Sequence, residues 1–150
     1  MIKIRALGTC YKGESINSYA IAHIITNGNS VISNSFEVVG EGFGSPSILI
    51  NLVAVKLAIE RLATWFDVLN KKTLIEVESH SNIVINSLKG NCKMSESNFI
   101  IVDTIKQLLR HRNVKYKRLY SGKDTELVRM CNLAFNIHRY GDLCMIGSKI

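Results

Sequence analysis

The feature that most constrains this chain is a change of period partway along it. Up to Val39 the apolar residues lie in three extended runs, Ile2 to Leu7, Asn17 to Thr26 and Ser30 to Val39; only afterwards do they take helical spacing. Gly8-Thr9 closes the first run. Asn27-Gly28-Asn29, between the second and third, predicts a tight hairpin, because Asn and Gly tolerate the positive φ such a turn requires. Gly40 to Pro46, with three Gly and the chain's single Pro, reads as a loop.

Beyond that loop Val55, Ile59, Leu62, Phe66 and Leu69 follow steps of four, three, four and three, the apolar stripe of one helix, with Lys56, Glu60 and Asp67 largely on its other side. Thr73 to Ser79 is a fourth strand. Ile83, Val84, Ile85 and Leu88 predict a short helix closing at Gly90. Ser95-Glu96-Ser97 supplies N-cap candidates for a helix through Ile101, Ile105, Leu108 and Leu109. Val114 to Tyr120 is a fifth strand, and Asp124 or Thr125 caps a last helix striped by Leu127, Cys131, Ala134 and Ile137 or His138. Residues 139–150 carry no pattern, so the chain reads as one domain over 1–138 and a tail. The order β-β-β-α-β-α-α-β-α implies an α/β fold (α+β by stricter usage), a five-stranded mixed sheet with helices packed on it.

Composition narrows the function classes. A hydrophobic content of 47% with one Pro excludes a disordered chain, and no apolar run is long enough for a bilayer, so no membrane partner is expected. Met1 to Arg5 alternates apolar and basic residues, as a strand does and a signal peptide does not. Cys10, Cys92, Cys131 and Cys144 are scattered without a CxxC pair, which fits free thiols in a reducing intracellular compartment. Nineteen Lys and Arg against twelve Asp and Glu give a net charge of +7, which favours an anionic partner such as nucleic acid.

Local sequence adds a resemblance over about residues 1–137. Ile75 to Gly90 is similar to the fourth strand and following helix of the ribonuclease H family: an apolar strand, then Asp-Ser, an apolar pair, Asn-x-Leu and Gly. Asn51 to Leu62 resembles that family's first helix, Asn-x-Ala-Glu-x-x-Ala-Leu. Leu7-Gly8-Thr9-Cys10 resembles its first-strand ending, Asp-Gly-Ser-Cys, and Leu127 to Ala134 its last helix, Asn-x-x-Ala-Asp-x-Leu-Ala. The resemblance implies a domain that acts on RNA–DNA hybrids through four carboxylates and two Mg²⁺ ions. At the four matching positions stand Leu7, Ala54, His80 and Cys131. Two of these have no donor atom, and imidazole and thiol are soft ligands for Mg²⁺. The expectation is therefore a non-catalytic member of the fold, with neither metal nor cofactor.

Shifting the register does not restore the site. Glu14 lies beyond a turn, Glu60 and Glu126 point elsewhere around their helices, and Glu78 alone shares a strand face with His80. Zn²⁺ held by His80, Glu78, Cys131 and Cys10 is the sharper reading, and a cavity filled by Leu7, Ala54 and Cys131 is the favoured one.

Two features point to nucleic acid. Lys106 to Arg118 holds Lys106, Arg110, Arg112, Lys115, Lys117 and Arg118 with His111 and no acid, interleaved with Tyr116. It reads as a phosphate-tracking surface, or equally as a solvated helix end and edge strand. Gly8 to Gly13 corresponds to the loop by which the family approaches the minor groove of the hybrid, with Glu14-Ser15-Ile16 where Asn-Pro-Gly is usual. The first expectation is binding of RNA–DNA hybrid or duplex RNA through Thr9, Lys12, Arg110, Arg112, Lys115 and Lys117. The second is a protein-interaction or inhibitory module on the same scaffold, and the third a nuclease with a rearranged site at Glu78 and His80.

Overall fold

The computed structural model describes residues 1–14, 16–42, 47–119 and 125–148. β1 (Ile2–Tyr11), β2 (Asn17–Asn27) and β3 (Ser30–Gly42) form an antiparallel meander. α1 (Ser47–Ala63) leads to β4 (Leu74–Ser79), then α2 (Asn82–Lys89), α3 (Glu96–Leu108), β5 (Asn113–Arg118) and α4 (Thr125–Ser148). The strands make one five-stranded sheet in the order β3-β2-β1-β4-β5, with β4 parallel to both β1 and β5. This is the mixed, helix-covered sheet that the element order implies.

The local signals act as their chemistry predicts. Asn27 pairs with Ser30 around a two-residue loop in which Gly28 has φ 60°. Ser81 caps α2 by accepting from the Val84 amide, and Gly90 closes it in the left-handed region at φ 77°. Ser95 caps α3 by accepting from Asn98.

Several boundaries differ from the sequence reading: β3 runs on to Gly42 where the sequence predicts a loop from Gly40, β5 spans Asn113–Arg118, and three others have a clear cause. Gly8-Thr9 does not end the first strand: β1 continues to Tyr11, paired with β2 as far as Ser18. Gly8 is there for space, since a Cβ on it would sit 2.4 Å from the Ile50 carbonyl oxygen of α1. The first helix stops at Ala63 rather than running to Leu69. Thr64, Trp65 and Phe66 donate their amides to Arg61, Leu62 and Ala63, three residues back, so the last turn tightens while Phe66 and Leu69 still reach the core. The last helix runs to Ser148, past the end of its apolar stripe, because each added residue gains a hydrogen bond once a helix is nucleated. Asp124 and the Phe43 to Pro46 part of the predicted loop lie outside the described residues.

Alternation along the strands divides the interior in two. On one side Ile2, Ile4 and Ala6 of β1, Ile21 and Ile25 of β2, and Ile75 and Val77 of β4 pack against Leu52, Val55, Ile59 and Leu62 of α1, Val84 and Leu88 of α2, and Val102 and Ile105 of α3. Each fully buried Ile or Leu contributes on the order of 1.5–3 kcal/mol through its removal from water. On the other side Ala20, Ala22 and Ile24 of β2 meet Leu127, Cys131 and Ala134 of α4, with Leu7 and Tyr11 packed alongside. The small β2 residues let this single helix lie close over β1, β2 and β3.

Candidate nucleic-acid interface

Of the four positions matched to metal ligands, Leu7 and Cys131 are in contact, His80 is level with Leu7 on the neighbouring strand, and Ala54 lies in the other core. Leu7 sits on the α4 side of β1 within the smaller apolar cluster. The β1–β4 register pairs Arg5 with Glu78, so one step further along each face brings Leu7 level with His80. Cys131 of α4 is fully buried and donates its thiol to the Leu7 carbonyl oxygen at 3.8 Å. Ala54 is buried in the larger core, one helical turn past the point where α1 meets Gly8.

These side chains do not fit a magnesium ion. Leu7 and Ala54 carry no donor. Burial pushes the Cys131 thiol up to about 11, so it is a neutral thiol at physiological pH rather than a thiolate ligand. The Nε2 atom of His80 is buried and has no hydrogen-bond partner among the described residues. Among those residues no group of three His, Cys, Asp or Glu side chains is placed to share a metal. Zinc is no better served, for Cys10 alternates with Leu7 and Tyr11 and so faces the opposite side of β1 from Cys131.

The nearest carboxylates are engaged elsewhere. Glu126, in the first turn of α4, pairs with Arg5 at 3.4 Å. Glu78 is bridged by Lys3 at 3.4 Å. Tyr11 extends the filled region along β1: its hydroxyl donates to the Asn132 side-chain oxygen, and its ring stacks on Phe135 with centroids 4.3 Å apart. Burial and the neighbouring Cys131 push the Tyr11 hydroxyl up to about 12.

The six residues expected to touch phosphate do not form one patch. Thr9 shares the α4-side face with Leu7, and Lys12 follows directly beyond Tyr11, past the level of His80. Lys115 and Lys117 stand exposed on β5, level with Glu76 and Glu78. Arg110 lies in the turn before β5, at the opposite end of the sheet from Lys12. Arg112 is turned inward. Its guanidinium donates to the carbonyls of Leu69 at 3.2 Å and Phe66 at 2.7 Å, and it lies 4.2 Å over the Phe66 ring. It holds the tightened end of α1 and does not present charge to a ligand. The basic run is thus divided by a turn, in which His111 adopts φ 65°.

Asn51 is a structural member of this region that the motif reading did not single out. Its side-chain oxygen accepts the Gly8 amide at 2.8 Å while its nitrogen donates to the Ser47 carbonyl at 2.7 Å. This locks α1 to β1 where the two backbones come closest.

No family model matches the chain, and no curated relative does either. Solved structures do match in fold. LC11-RNase H1, isolated from compost by a metagenomic approach, is similar with a TM-score of 0.77 and 20% identity, over 91% of this chain and 96% of that one. The same protein solved in complex with an RNA/DNA hybrid gives 0.75, over 92% and 99%. RNase H1 from the halophilic archaeon Halobacterium salinarum gives 0.70 at 13% identity, over 89% of this chain and 98% of that one. The fold is therefore that of ribonuclease H.

Proposed function

We propose that this chain is a non-catalytic ribonuclease H-like domain that binds RNA–DNA hybrid, or another A-form duplex, without cleaving it. One observation carries the reading: where the fold would hold two metal ions, Leu7 and Cys131 are in contact and Ala54 is core. A two-metal hydrolysis needs carboxylates on both ions, and the side chains here supply an apolar plug. Two further findings support binding. The chain carries +7, and a neighbour in fold was solved on an RNA/DNA hybrid. Backbone contact falls to Lys12, Lys115 and Lys117, with Thr9 toward the groove and Arg110 at the far end of the sheet.

The test is a titration of labelled RNA–DNA hybrid, duplex RNA and duplex DNA at two salt concentrations with Mg²⁺ present, followed by a gel of the same samples. Salt-sensitive binding with intact strands is expected, since each phosphate neutralised adds about 0.9 to the slope of log K against log salt. Cleavage that requires a divalent metal and is lost in His80→Ala would replace this reading with the rearranged nuclease.

A protein-interaction module is the second reading, and the β3 edge favours it. This 13-residue edge strand carries no Lys or Arg and exposes Val31, Phe36 and Val39, the kind of edge that recruits another chain. A partner retained at high salt, together with no nucleic-acid binding, would select it.

A further inference from the structure

The α4 side of the sheet changes character beyond β1. α4 lies over β1, β2 and β3. On β4 and β5, over which no helix packs on this side among the described residues, Glu76 and Glu78 of β4 and Lys115 and Lys117 of β5 share that face, with Lys3 and Arg5 beside them on β1. Glu76 and Glu78 are two residues apart on one strand and only 6% and 3% exposed. The register sets Lys3 opposite Glu76 and Lys117 opposite Glu78, yet each lysine bridges the diagonal carboxylate: Lys3 to Glu78 at 3.4 Å and Lys117 to Glu76 at 3.9 Å. The two carboxyl groups sit side by side and titrate together, Glu78 shifted up and Glu76 shifted down.

Two basic rows therefore flank a buried acidic pair. The rows are two strand spacings apart, about 9–10 Å, and successive cations along each lie about 6–7 Å apart. Lys3 and Lys117 remain 37% and 51% exposed while they make their bridges, so their ammonium groups can be shared with a ligand. No comparable use for two buried glutamates is evident in the packing of α4, which lies over the neighbouring strands.

We infer that this uncovered half of the sheet is a proton-gated surface for a duplex phosphate backbone: Lys3, Arg5, Lys115 and Lys117 hold the phosphates, and the charge on the Glu76–Glu78 pair sets how strongly they do so. The inference rests on the nucleic-acid reading above and adds Lys3, Arg5 and the two glutamates to it. With the pair fully ionised, both bridging lysines are neutralised and two negative charges stand between the phosphate-binding rows. Taking up a proton removes one of those charges and loosens the claim on the lysines. Burial and then the neighbouring Glu76 carboxyl raise the Glu78 carboxyl above the usual range, while Glu78 and then Lys117, Lys3 and Lys115 hold Glu76 below it. Among the described residues, the charged or titratable groups facing the pair are Lys3 and Arg5 from β1, His80 further along β4, Lys115 and Lys117 from β5, and Glu126 of α4 through Arg5.

The test measures affinity for labelled RNA–DNA hybrid at constant low salt, from about pH 8 down to about pH 4.5, so that the raised Glu78 carboxyl is approached from its ionised side. The full chain is compared with Glu78→Gln and with Glu76→Gln/Glu78→Gln, each checked for an unchanged circular dichroism spectrum. The wild type should tighten roughly tenfold on acidification, about 1.4 kcal/mol. The double variant should bind at about pH 8 as the wild type does at low pH, with most of the pH dependence gone. Lys115→Ala keeps the inference falsifiable should the Gln variants fail to fold, because it should lower the salt slope by about one. Salt-sensitive binding with the same pH profile in wild type and double variant overturns the gate and leaves the binding function standing. A salt slope unmoved by Lys115→Ala overturns the surface. No binding by any variant at low salt overturns the function and the inference together.

Discussion

One face of the sheet carries two chemistries, and β1 is the border between them. Under α4 the face is apolar and small: Ala20, Ala22, Ile24, Leu7 and Cys131. Beyond α4 it is ionic: Lys3, Glu76, Glu78, Lys115 and Lys117. Each half is satisfied within itself, the first by packing and the second by crossed ion pairs. An apolar filling needs no counter-charge, whereas buried carboxylates are costly without one.

The largest test of this contrast puts charge into the apolar half. Cys131→Asp should cost about 3–5 kcal/mol in urea unfolding at neutral pH, because it leaves a buried charge uncompensated. A loss below about 1 kcal/mol, or one recovered by adding Mg²⁺, would show that the border still accepts an ion. Tyr11→Phe removes the hydroxyl donated to Asn132 and leaves the stack on Phe135, so a loss of about 1 kcal/mol is expected. If stability is unchanged, the α4 half is held by packing alone.

In the ionic half the expected signature is a dependence on pH rather than a large loss. Glu78 is raised in the folded state, so its contribution is full below its unfolded pKa and is lost as pH rises through the folded value. Glu76 is lowered, so its contribution is present above its unfolded pKa and disappears as pH falls through the folded value. Thermal melts taken on both sides of the ordinary carboxyl value of 4.5 should show both limbs in the wild type, and Glu78→Gln should lose the alkaline limb. An alkaline limb that persists in Glu78→Gln would mean that the glutamates do not act as a pair. The smallest effect belongs to Lys115→Ala, which should change stability by less than about 0.5 kcal/mol, so that any change in binding reports contact rather than folding.

Most of the architecture was readable because it is written in short-range chemistry. Asn27 to Asn29, Gly90 and Ser95 each act on a backbone within a few residues, and each does what its residue type predicts. What escaped depends on partners far away in the chain. Gly8 looked like a strand terminator, and only the approach of α1 reveals it as a space requirement. Arg112 looked like one more cation in a basic run. Its commitment to Leu69 and Phe66 could be suspected only from an aromatic side chain at a helix end, a weak signal. The Glu76–Glu78 pair is two acids in a strand until register places Lys3 and Lys117 beside them. Leu7 and Cys131, singled out by motif order, do come into contact across the sheet and α4.

The contact between Cys131 and Leu7 joins residues 124 apart in the chain, and this separation has a consequence for how the molecule assembles. The β1–β2–β3 meander can pair as soon as it is synthesised, from neighbours in sequence. Its α4-facing side, Leu7, Ala20, Ala22 and Ile24, must then wait for the last helix, some seconds at about 5–20 residues per second. During that interval the sheet is half-dressed: one face can close over α1 while the other remains sticky. Contacts of such long range also slow the search for the native state. Late docking of α4 is therefore the step at which a nascent chain is most exposed to aggregation.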